Sequence, residues 1–403
     1  MPHIRNYRLL ALMALMQGIV FYGPVATIYR RAYGLDVEAL FLIESISWIV
    51  TLALESPWGR FADRFGYRLT IVLGNVVFLA SKLVFSVAYG FSGFLAERLL
   101  LSVALSALSG CTEALLYRSA GAEASEKAFG RWNAASAAGL LAASVASPLL
   151  YASSLRMTAY GTVVPYAIAA VASLFLVDVD EEKTTDGATT RGGATGAASV
   201  TAGLRGAFEA LARDRGLLLF VAASAVMGEA AQAATVFLAP LQYERAGIPL
   251  AAFGALYAAL QVASLAAAGA WRLVGAVGRE RTLRALFAVG AAALAILALS
   301  DGAWTSVAAL LALAAAAALF RPLSASIQNE RVIGSERATA LSVNAMAAEI
   351  IAALVNVGVG RLAGVGLPAA FGALAAILGA LAVSPAASPR RPVRALEHVD
   401  AEE

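Results

Sequence analysis

Long apolar segments without charge recur along the whole chain, and they restrict its possible folds more than any other feature. A helix needs about 20 mostly apolar residues to cross a hydrocarbon core roughly 30 Å thick. Hydrophobic residues make up 60% of the chain and charged residues 14%, whereas an ordinary globular protein carries about 25% charge. The buried helices of a soluble core would be shorter and would carry an amphipathic stripe. We therefore predict an all-α membrane protein.

Twelve segments have the length and composition of a transmembrane helix. The first is too long for the apolar region of a secretory signal and is not followed by a small-residue cleavage site, so we interpret it as a span. The predicted spans are residues 9–29, 39–57, 69–90, 94–117, 132–151, 157–177, 217–240, 250–272, 282–300, 303–320, 337–358 and 362–383.

The predicted spans divide into two halves of similar length, residues 1–177 and 217–383. Residues 178–216 begin with charged residues and continue with Gly, Ala, Thr and Ser, which is typical of a flexible linker. Apolar residues recur at helical spacing over 204–213, so this part forms either a short helix on the membrane surface or an extension of the seventh span. Residues 384–403 form a polar tail. Two joined bundles of equal size indicate a repeat architecture, and transporters built this way bind their cargo between the halves.

The distribution of basic residues predicts the orientation. Most of the 30 Lys and Arg residues lie in the N-terminal segment, the tail and the alternate connections on the same side of the membrane. Cytoplasmic loops carry an excess of Lys and Arg. We therefore expect a multi-pass protein of the cytoplasmic (inner) membrane with both termini, the linker and the tail in the cytoplasm.

The connection Gly59–Arg68 between the second and third spans is polar and basic, and reads Gly-Arg-Phe-Ala-Asp-Arg-Phe-Gly-Tyr-Arg. Gly66 can adopt a positive φ and turn the chain tightly, and Gly59 allows close contact between the halves. The Asp63 carboxylate can accept hydrogen bonds from a helix N-terminus or pair with an arginine, for which Arg118 is a candidate.

The same connection has a simpler interpretation, in which its arginines only set the topology. The arginines of the loop are Arg60, Arg64 and Arg68.

A weak repeat of the Gly59–Arg68 pattern follows the eighth span, where Trp271, Gly275 and Gly278 correspond in spacing to Gly59, Asp63 and Gly66.

The Gly59–Arg68 loop resembles the hallmark of the major facilitator superfamily, and Asn329 followed by residues 337–342 resembles the start of the eleventh helix in many bacterial members. The resemblance implies twelve transmembrane helices in two six-helix pseudo-symmetric halves that work by alternating access. It also implies that contacts of the loop lock the inner face when the transporter opens outward. The gating residues implied are Gly59, Asp63, Arg64, Gly66, Arg68 and Arg118.

Two elements differ from the drug–proton antiporters of that family. Arg98 in the fourth span is followed by Leu-Leu-Leu-Ser rather than Gln-Gly, and Ser147-Pro148 in the fifth replaces Gly-Pro. Antiport is therefore plausible from the family but unsupported by these two elements.

Ionisable side chains inside spans are costly and require a partner or a function. Glu229 lies near mid-membrane in the seventh span, and Gln232 at i+3 can face the same direction. Glu229 is a candidate proton carrier, a ligand for a cationic group, or a structural hydrogen-bonding residue. Glu113 and Tyr117 at i+4 are a second candidate pair on the fourth span, with functional and structural interpretations both open.

Three further charged groups lie inside predicted spans. Glu349 lies near mid-membrane in the eleventh span, with a structural or a functional role. Glu44 and Lys82 lie at similar depth nearer the outside, and we predict that they neutralise each other as a buried pair. If they do not pair, Lys82 becomes a candidate for binding an anionic cargo.

The sequence shows no Walker sequence, metal-ligand cluster or nucleophile motif, so we expect neither an enzyme nor a bound cofactor or metal. We expect a monomeric secondary transporter of a small organic compound, with membrane lipids, protons or another coupling ion as partners and no nucleic acid. Proton-coupled export is the preferred function. Proton-coupled uptake of a nutrient or metabolite, or a transporter-like receptor or scaffold, remains an alternative.

Overall fold

The computed structural model describes residues 2–121, 124–178, 211, 214–331 and 337–387. Within these residues the regular structure is helical, and eleven helical segments are long and apolar enough to cross a membrane. We number them span 1 to span 11 in chain order. They are Ile4–Ala32, Val37–Phe65, Tyr67–Val87, Gly90–Ala120, Ser125–Tyr151, Leu155–Leu174, Arg215–Arg245, Leu250–Ala267, Arg279–Leu299, Ala303–Arg331 and Thr339–Val365.

The last apolar helix, Leu367–Val383, has 17 residues and is called span 12. At 1.5 Å per residue it is roughly 26 Å long, slightly less than a hydrocarbon core. Each of the twelve predicted segments therefore contains helix, although the first is interrupted at residues 19–22 and the last is shorter than a typical membrane-crossing helix. The surface helix considered over 204–213 lies outside the described residues, apart from Leu211.

Several spans are longer than predicted, and in the two with the largest extensions polar residues continue the helix beyond the apolar stretch. Span 2 extends to Phe65 and span 10 extends to Arg331. Span 10 remains helical through Pro322 because Leu323 and Ile327 continue its buried face at helical spacing.

Short polar signals define where several helices begin. The Asp36 carboxylate accepts from the Ala39 N–H at 2.7 Å and caps span 2. The Asp214 carboxylate accepts from the Leu217 N–H at 3.0 Å and caps span 7. Gly66 ends span 2 with a φ of 89°, which permits the sharp turn into span 3.

Close helix packing depends on small residues at the contacts. A Cβ on Gly139 of span 5 would overlap the Leu15 carbonyl oxygen of span 1, and a Cβ on Gly254 of span 8 would overlap the Ser144 carbonyl oxygen of span 5. These glycines therefore let backbones approach closely, as is common between membrane helices. The first contact lies within the N-terminal half (spans 1–6), and the second joins it to the C-terminal half (spans 7–12).

The two halves also meet away from the Gly59–Arg68 loop. We call the side that carries this loop the motif side and the opposite side the far side. The Thr27 hydroxyl donates to the Phe237 carbonyl at 2.7 Å, and the Tyr151 hydroxyl donates to the Leu250 carbonyl at 3.0 Å. All four residues belong to the far-side portions of their spans, so these bonds close the far side.

Candidate functional site

A cavity of about 550 Å³ lies in the C-terminal half between spans 7, 8, 10 and 11. It extends from Thr235, near mid-membrane, to Asn329 near the motif-side end of span 10. Its volume lies within the range of small-molecule sites. Met227, Leu260, Phe320 and several alanines form its apolar wall. The polar residues that line it are Ser224, Gln232, Thr235, Gln261, Ser264, Arg321, Ser324, Gln328 and Asn329.

Irregular helical backbone borders this cavity. Span 7 contains a π-helical segment over Ala233–Leu238, and span 8 contains a 3-10 segment over Ser264–Gly269. The Thr235 hydroxyl donates to the Ala231 carbonyl at 2.7 Å and so satisfies one backbone acceptor at the π segment. Single π turns occur often at functional sites, and irregular backbone at membrane depth is tolerated where it lines a cavity.

Arg321 lines the cavity from span 10. It lies four residues beyond Ala317, the midpoint of the Ala303–Arg331 helix, which corresponds to about 6 Å along the axis. The residue is exposed, and among the described residues no carboxylate pairs with its guanidinium. Sequence reasoning missed Arg321 because the predicted tenth span ended at residue 320. The apolar spacing through Leu323 and Ile327 is the signal that could have placed it inside the helix.

The structure separates the predicted pair Glu229 and Gln232. Gln232 lines the cavity, whereas Glu229 is 4% exposed and is not part of the described lining. The Glu229 carboxyl lies beside the Asn356 side chain of span 11. Its Oε1 has no hydrogen-bond partner among the described residues, and neither has the Asn356 amide. Positions i and i+3 differ by about 60° around a helix, which explains why one side chain reaches the cavity and the other packs behind it.

Span 4 carries the second predicted pair beyond a break in its helix. Gly110, with a φ of 73°, separates Gly90–Leu108 from Cys111–Ala120. Glu113 and Tyr117 lie on the second helix and both are exposed, Tyr117 by 49%. The described lining of the cavity does not include them.

Glu349 lies on span 11 and is half-buried, also outside the described lining. Its Oε2 has no hydrogen-bond partner among the described residues. The carboxylate of Glu55 on span 2 lies close enough to repel it. Glu55 and Glu349 thus bring two carboxylates of opposite halves near each other, and sequence reasoning did not identify Glu55.

The predicted pairing of Glu44 with Lys82 is wrong. Glu44 of span 2 forms an ion pair with Arg98 of span 4, and both side chains are largely buried. Arg98 was expected at the outer end of the span, but the helix begins at Gly90 and places Arg98 two turns inside it. Spans 2 and 4 pack against each other, so the guanidinium reaches Glu44.

Lys82 instead points into the N-terminal bundle between spans 1 and 6. Its ammonium donates to the Tyr22 hydroxyl at 2.8 Å. It also lies 5.0 Å from the Phe78 ring centroid and 5.2 Å from that of Tyr166, which permits cation–π attraction. Lys82 is 3% exposed and surrounded by rings, so it does not form an accessible anion site in this conformation.

A second buried ion pair was not predicted at all. The Arg30 guanidinium of span 1 lies 3.8 Å from the Glu97 carboxylate of span 4, with both side chains nearly inaccessible. The sequence placed Arg30 in a connection, and gave Glu97 no role. The N-terminal half therefore holds two buried ion pairs near the far side.

The predicted Gly59–Arg68 loop is helical except at Gly66, and this turn is held by a residue that sequence reasoning did not select. The Arg68 N–H donates to the Asp178 carboxylate at 3.2 Å, and the Arg68 guanidinium donates to the Leu174 carbonyl at 3.3 Å. Asp178, just beyond span 6, thus binds the first turn of span 3 in the way proposed for Asp63. The Arg118 guanidinium lies 4.8 Å above the Tyr67 ring.

The other motif residues lie at the exposed end of span 2. Gly59, Asp63 and Arg64 are exposed, and the Arg64 guanidinium lies 5.2 Å from the Phe65 ring centroid. Gly278 repeats the backbone of Gly66 with the same φ of 89°. The weak repeat thus corresponds to an equivalent turn in the second half.

Comparisons with known proteins agree with this architecture. No curated protein sequence matches the chain significantly. The nucleoside transporter NupG superposes with a TM-score of 0.76 at 14% identity, covering 95% of this chain and 97% of the other. A bacterial homolog of the human lysosomal transporter Spinster, inward-facing and unoccupied, superposes with a TM-score of 0.71 at 12% identity, covering 96% and 95%. The family model of the Major Facilitator Superfamily matches residues 9–276, and the chain therefore belongs to that superfamily of membrane transporters.

Proposed function

We propose that this protein is a secondary transporter that moves a small organic compound across the cytoplasmic membrane by alternating access. One observation carries the proposal. The halves are bonded on the far side through Thr27–Phe237 and Tyr151–Leu250, while the cavity extends toward the motif side. A site closed at one face and accessible from the other is one of the two states that alternating access requires.

The excess of Lys and Arg on the motif side supports a cytoplasmic location for that side. The conformation is then inward-facing. In the opposite state the far-side bonds separate and the motif side closes, with Gly59, Asp63 and Arg64 at the contact. Their exposure in this conformation is consistent with a partner that they meet only when the inner face closes.

Proton-coupled export is the preferred coupling, with Glu229 as the proton carrier. Glu229 lies one residue from the midpoint of span 7 and is buried with one carboxyl oxygen unpartnered among the described residues. It also contacts Asn356 on span 11. One turn away on the same helix, the Ala353 carbonyl accepts a hydrogen bond at 2.9 Å from the Ser45 hydroxyl of span 2, in the other half. Protonation of Glu229 would thus change the charge at the contact between the halves.

Inside-out vesicles containing the protein test this function. A proton gradient is imposed and followed with a pH-sensitive dye while drugs, sugars, amino acids and organic acids are added singly. We expect one class of compound to collapse the gradient in wild-type vesicles and not in Glu229→Gln vesicles. Glu280→Gln is the matched control, because Glu280 is an exposed acid paired with Arg284 on the surface of span 9.

The outcomes separate the parts of the proposal. Normal proton movement in Glu229→Gln would remove this residue as the carrier. Solute-driven proton entry in right-side-out vesicles, with accumulation of the solute, would replace export by uptake. Solute flux without proton movement would support transport and contradict proton coupling.

A further inference from the structure

We propose that the cavity binds a small organic anion, with a carboxylate or phosphate group on Arg321 and the polar remainder of the solute on the amide side chains of Gln232, Gln261 and Gln328. This inference rests on the transport function proposed above and names the class of solute. The positive charge of Arg321 is the feature that favours an anion over a neutral or cationic solute.

The position of Arg321 is the first argument. A guanidinium on a membrane-spanning helix is costly to bury unless it faces water or a partner charge. Arg321 faces the cavity, and no described carboxylate neutralises it. The neighbouring arginines differ in this respect, since Arg279 and Arg331 pair with Glu330 and Asp214.

The charge of the lining is the second argument. Arg321 is the charged member of the described lining, which includes no aspartate or glutamate. Glu229 lies behind the wall and is 4% exposed. The cavity therefore presents a net positive charge, which attracts an anion and repels a cation.

The hydrogen-bonding groups are the third argument. Arg321, Ser324 and Gln328 lie at i, i+3 and i+7 on one face of span 10. The Gln328 amide donates to the Ser324 hydroxyl at 3.1 Å, and that hydroxyl bonds to Ser224 at 2.8 Å. These bonds use one end of Gln328 and leave its carbonyl oxygen to accept from a solute. Gln232 and Gln261 face the same space from spans 7 and 8 and offer both donors and acceptors.

The chemistry of the guanidinium specifies the anionic group. Its planar donors match the two oxygens of a carboxylate or the oxygens of a phosphate, often in a bidentate arrangement. A cavity of about 550 Å³ accommodates a molecule of the size of an aromatic acid or a sugar phosphate. The neutral amides then favour solutes that carry hydroxyl or amide groups beside the charge.

Ligand-induced thermal stabilisation of the purified protein tests the proposal. The probes are matched pairs that differ in charge: benzoate against benzamide, gluconate against glucose, and glucose 6-phosphate against glucose. We expect the anionic member of at least one pair to raise Tm and the neutral member to leave it unchanged, because binding to the folded state stabilises it. The carboxylate and phosphate arms show which group Arg321 prefers.

Variants connect the effect to the residue. Arg321→Gln should weaken binding of that anion by at least about tenfold, since it removes a charge-assisted contact, and Arg321→Lys should retain part of it. Arg284→Gln, at an exposed surface pair, is the control and should bind like the wild type. Should Arg321→Gln fail to fold, raising NaCl from 50 to 500 mM should weaken anion binding to the wild type.

Three results would overturn the anion site: equal binding of charged and neutral partners, unchanged affinity in Arg321→Gln, or no binding of any anion at 10 mM. Proton-linked flux of a neutral or cationic compound in the vesicle assay would also overturn it, while leaving the transport function intact. If the protein binds an anion but no solute flux is found, the transport function would be contradicted and the anion site would be supported.

Discussion

The two halves share a backbone plan but use buried charge differently. The N-terminal half holds the Glu44–Arg98 and Arg30–Glu97 ion pairs, both largely buried. In the described part of the C-terminal half, the ion pairs lie toward the surface, and Arg321 faces a cavity. The difference suggests that these ion pairs fix helices to each other in the first half, whereas in the second half the charge of Arg321 is left accessible to a solute.

The turn after the second helix of each half shows the same contrast on a smaller scale. Gly66 and Gly278 have the same φ of 89°, so the backbone repeats. The side-chain contacts do not. Asp178 binds the Arg68 N–H in the first half, whereas Arg279 donates to the Glu330 carboxylate at 2.7 and 3.0 Å in the second. Equivalent turns are therefore held by acids from different spans.

Arg98→Met should produce the largest effect on stability. It leaves the Glu44 carboxylate buried without its partner, and loss of one member of a buried pair typically costs about 3–5 kcal/mol. Arg321→Met should lower stability far less, because Arg321 has no described carboxylate partner. Thermal unfolding of the purified proteins measures both changes. The double variant Glu44→Gln, Arg98→Met should be more stable than Arg98→Met alone, and equal losses at Arg98 and Arg321 would contradict the comparison.

Gly254→Ala should shift the protein away from the far-side-closed state. The added Cβ overlaps the Ser144 carbonyl of the other half, and overpacking of this kind typically costs about 1–3 kcal/mol. The measurement uses a protein that carries Arg31→Cys and Glu244→Cys, at the positions of an ion pair that joins the halves on the far side. Adding Gly254→Ala should slow formation of the disulfide between these two cysteines. Gly139→Ala makes the same overlap within the N-terminal half and should lower stability without slowing the cross-link. A slow cross-link in both would show that the effect is general loosening.

Asp63→Asn should reduce transport about tenfold if the contact that it makes in the other state contributes about 1.4 kcal/mol. The physical reason is loss of the negative charge that stabilises the closed inner face. Gly275→Ala, at the corresponding position of the second half, meets open space and should transport normally. Solute flux in vesicles at matched protein levels measures both. Normal flux in Asp63→Asn would eliminate the gating role.

Lys82→Met should have the smallest effect, within about 1 kcal/mol of the wild type. The change removes a buried ammonium that is held by Tyr22 and aromatic rings rather than by a described carboxylate. Thermal unfolding again provides the measurement. A loss as large as that of Arg98→Met would show that Lys82 takes part in an ion pair after all.

The sequence predicted the helical class and the positions of the apolar segments well, because each segment's hydrophobicity is a local property. It failed for charge partners. The sequence analysis paired Glu44 with Lys82 because they lie at the same depth. Depth alone does not determine which neighbouring helix a side chain points toward. Arg321 was missed because the apolar stretch ends before the helix does.

By itself the sequence determined that this chain is a helical membrane protein, since the hydrophobicity of some twenty consecutive residues depends little on what surrounds them. Its membership of the Major Facilitator Superfamily was also readable from the sequence, through the resemblance of the Gly59–Arg68 motif and the match of the family model. The tertiary structure alone decided which half carries the cavity, that Arg98 rather than Lys82 reaches Glu44, and that Gln232 rather than Glu229 faces the cavity. Those outcomes depend on the rotation and packing of helices against one another, and so on contacts between residues that are far apart in the chain.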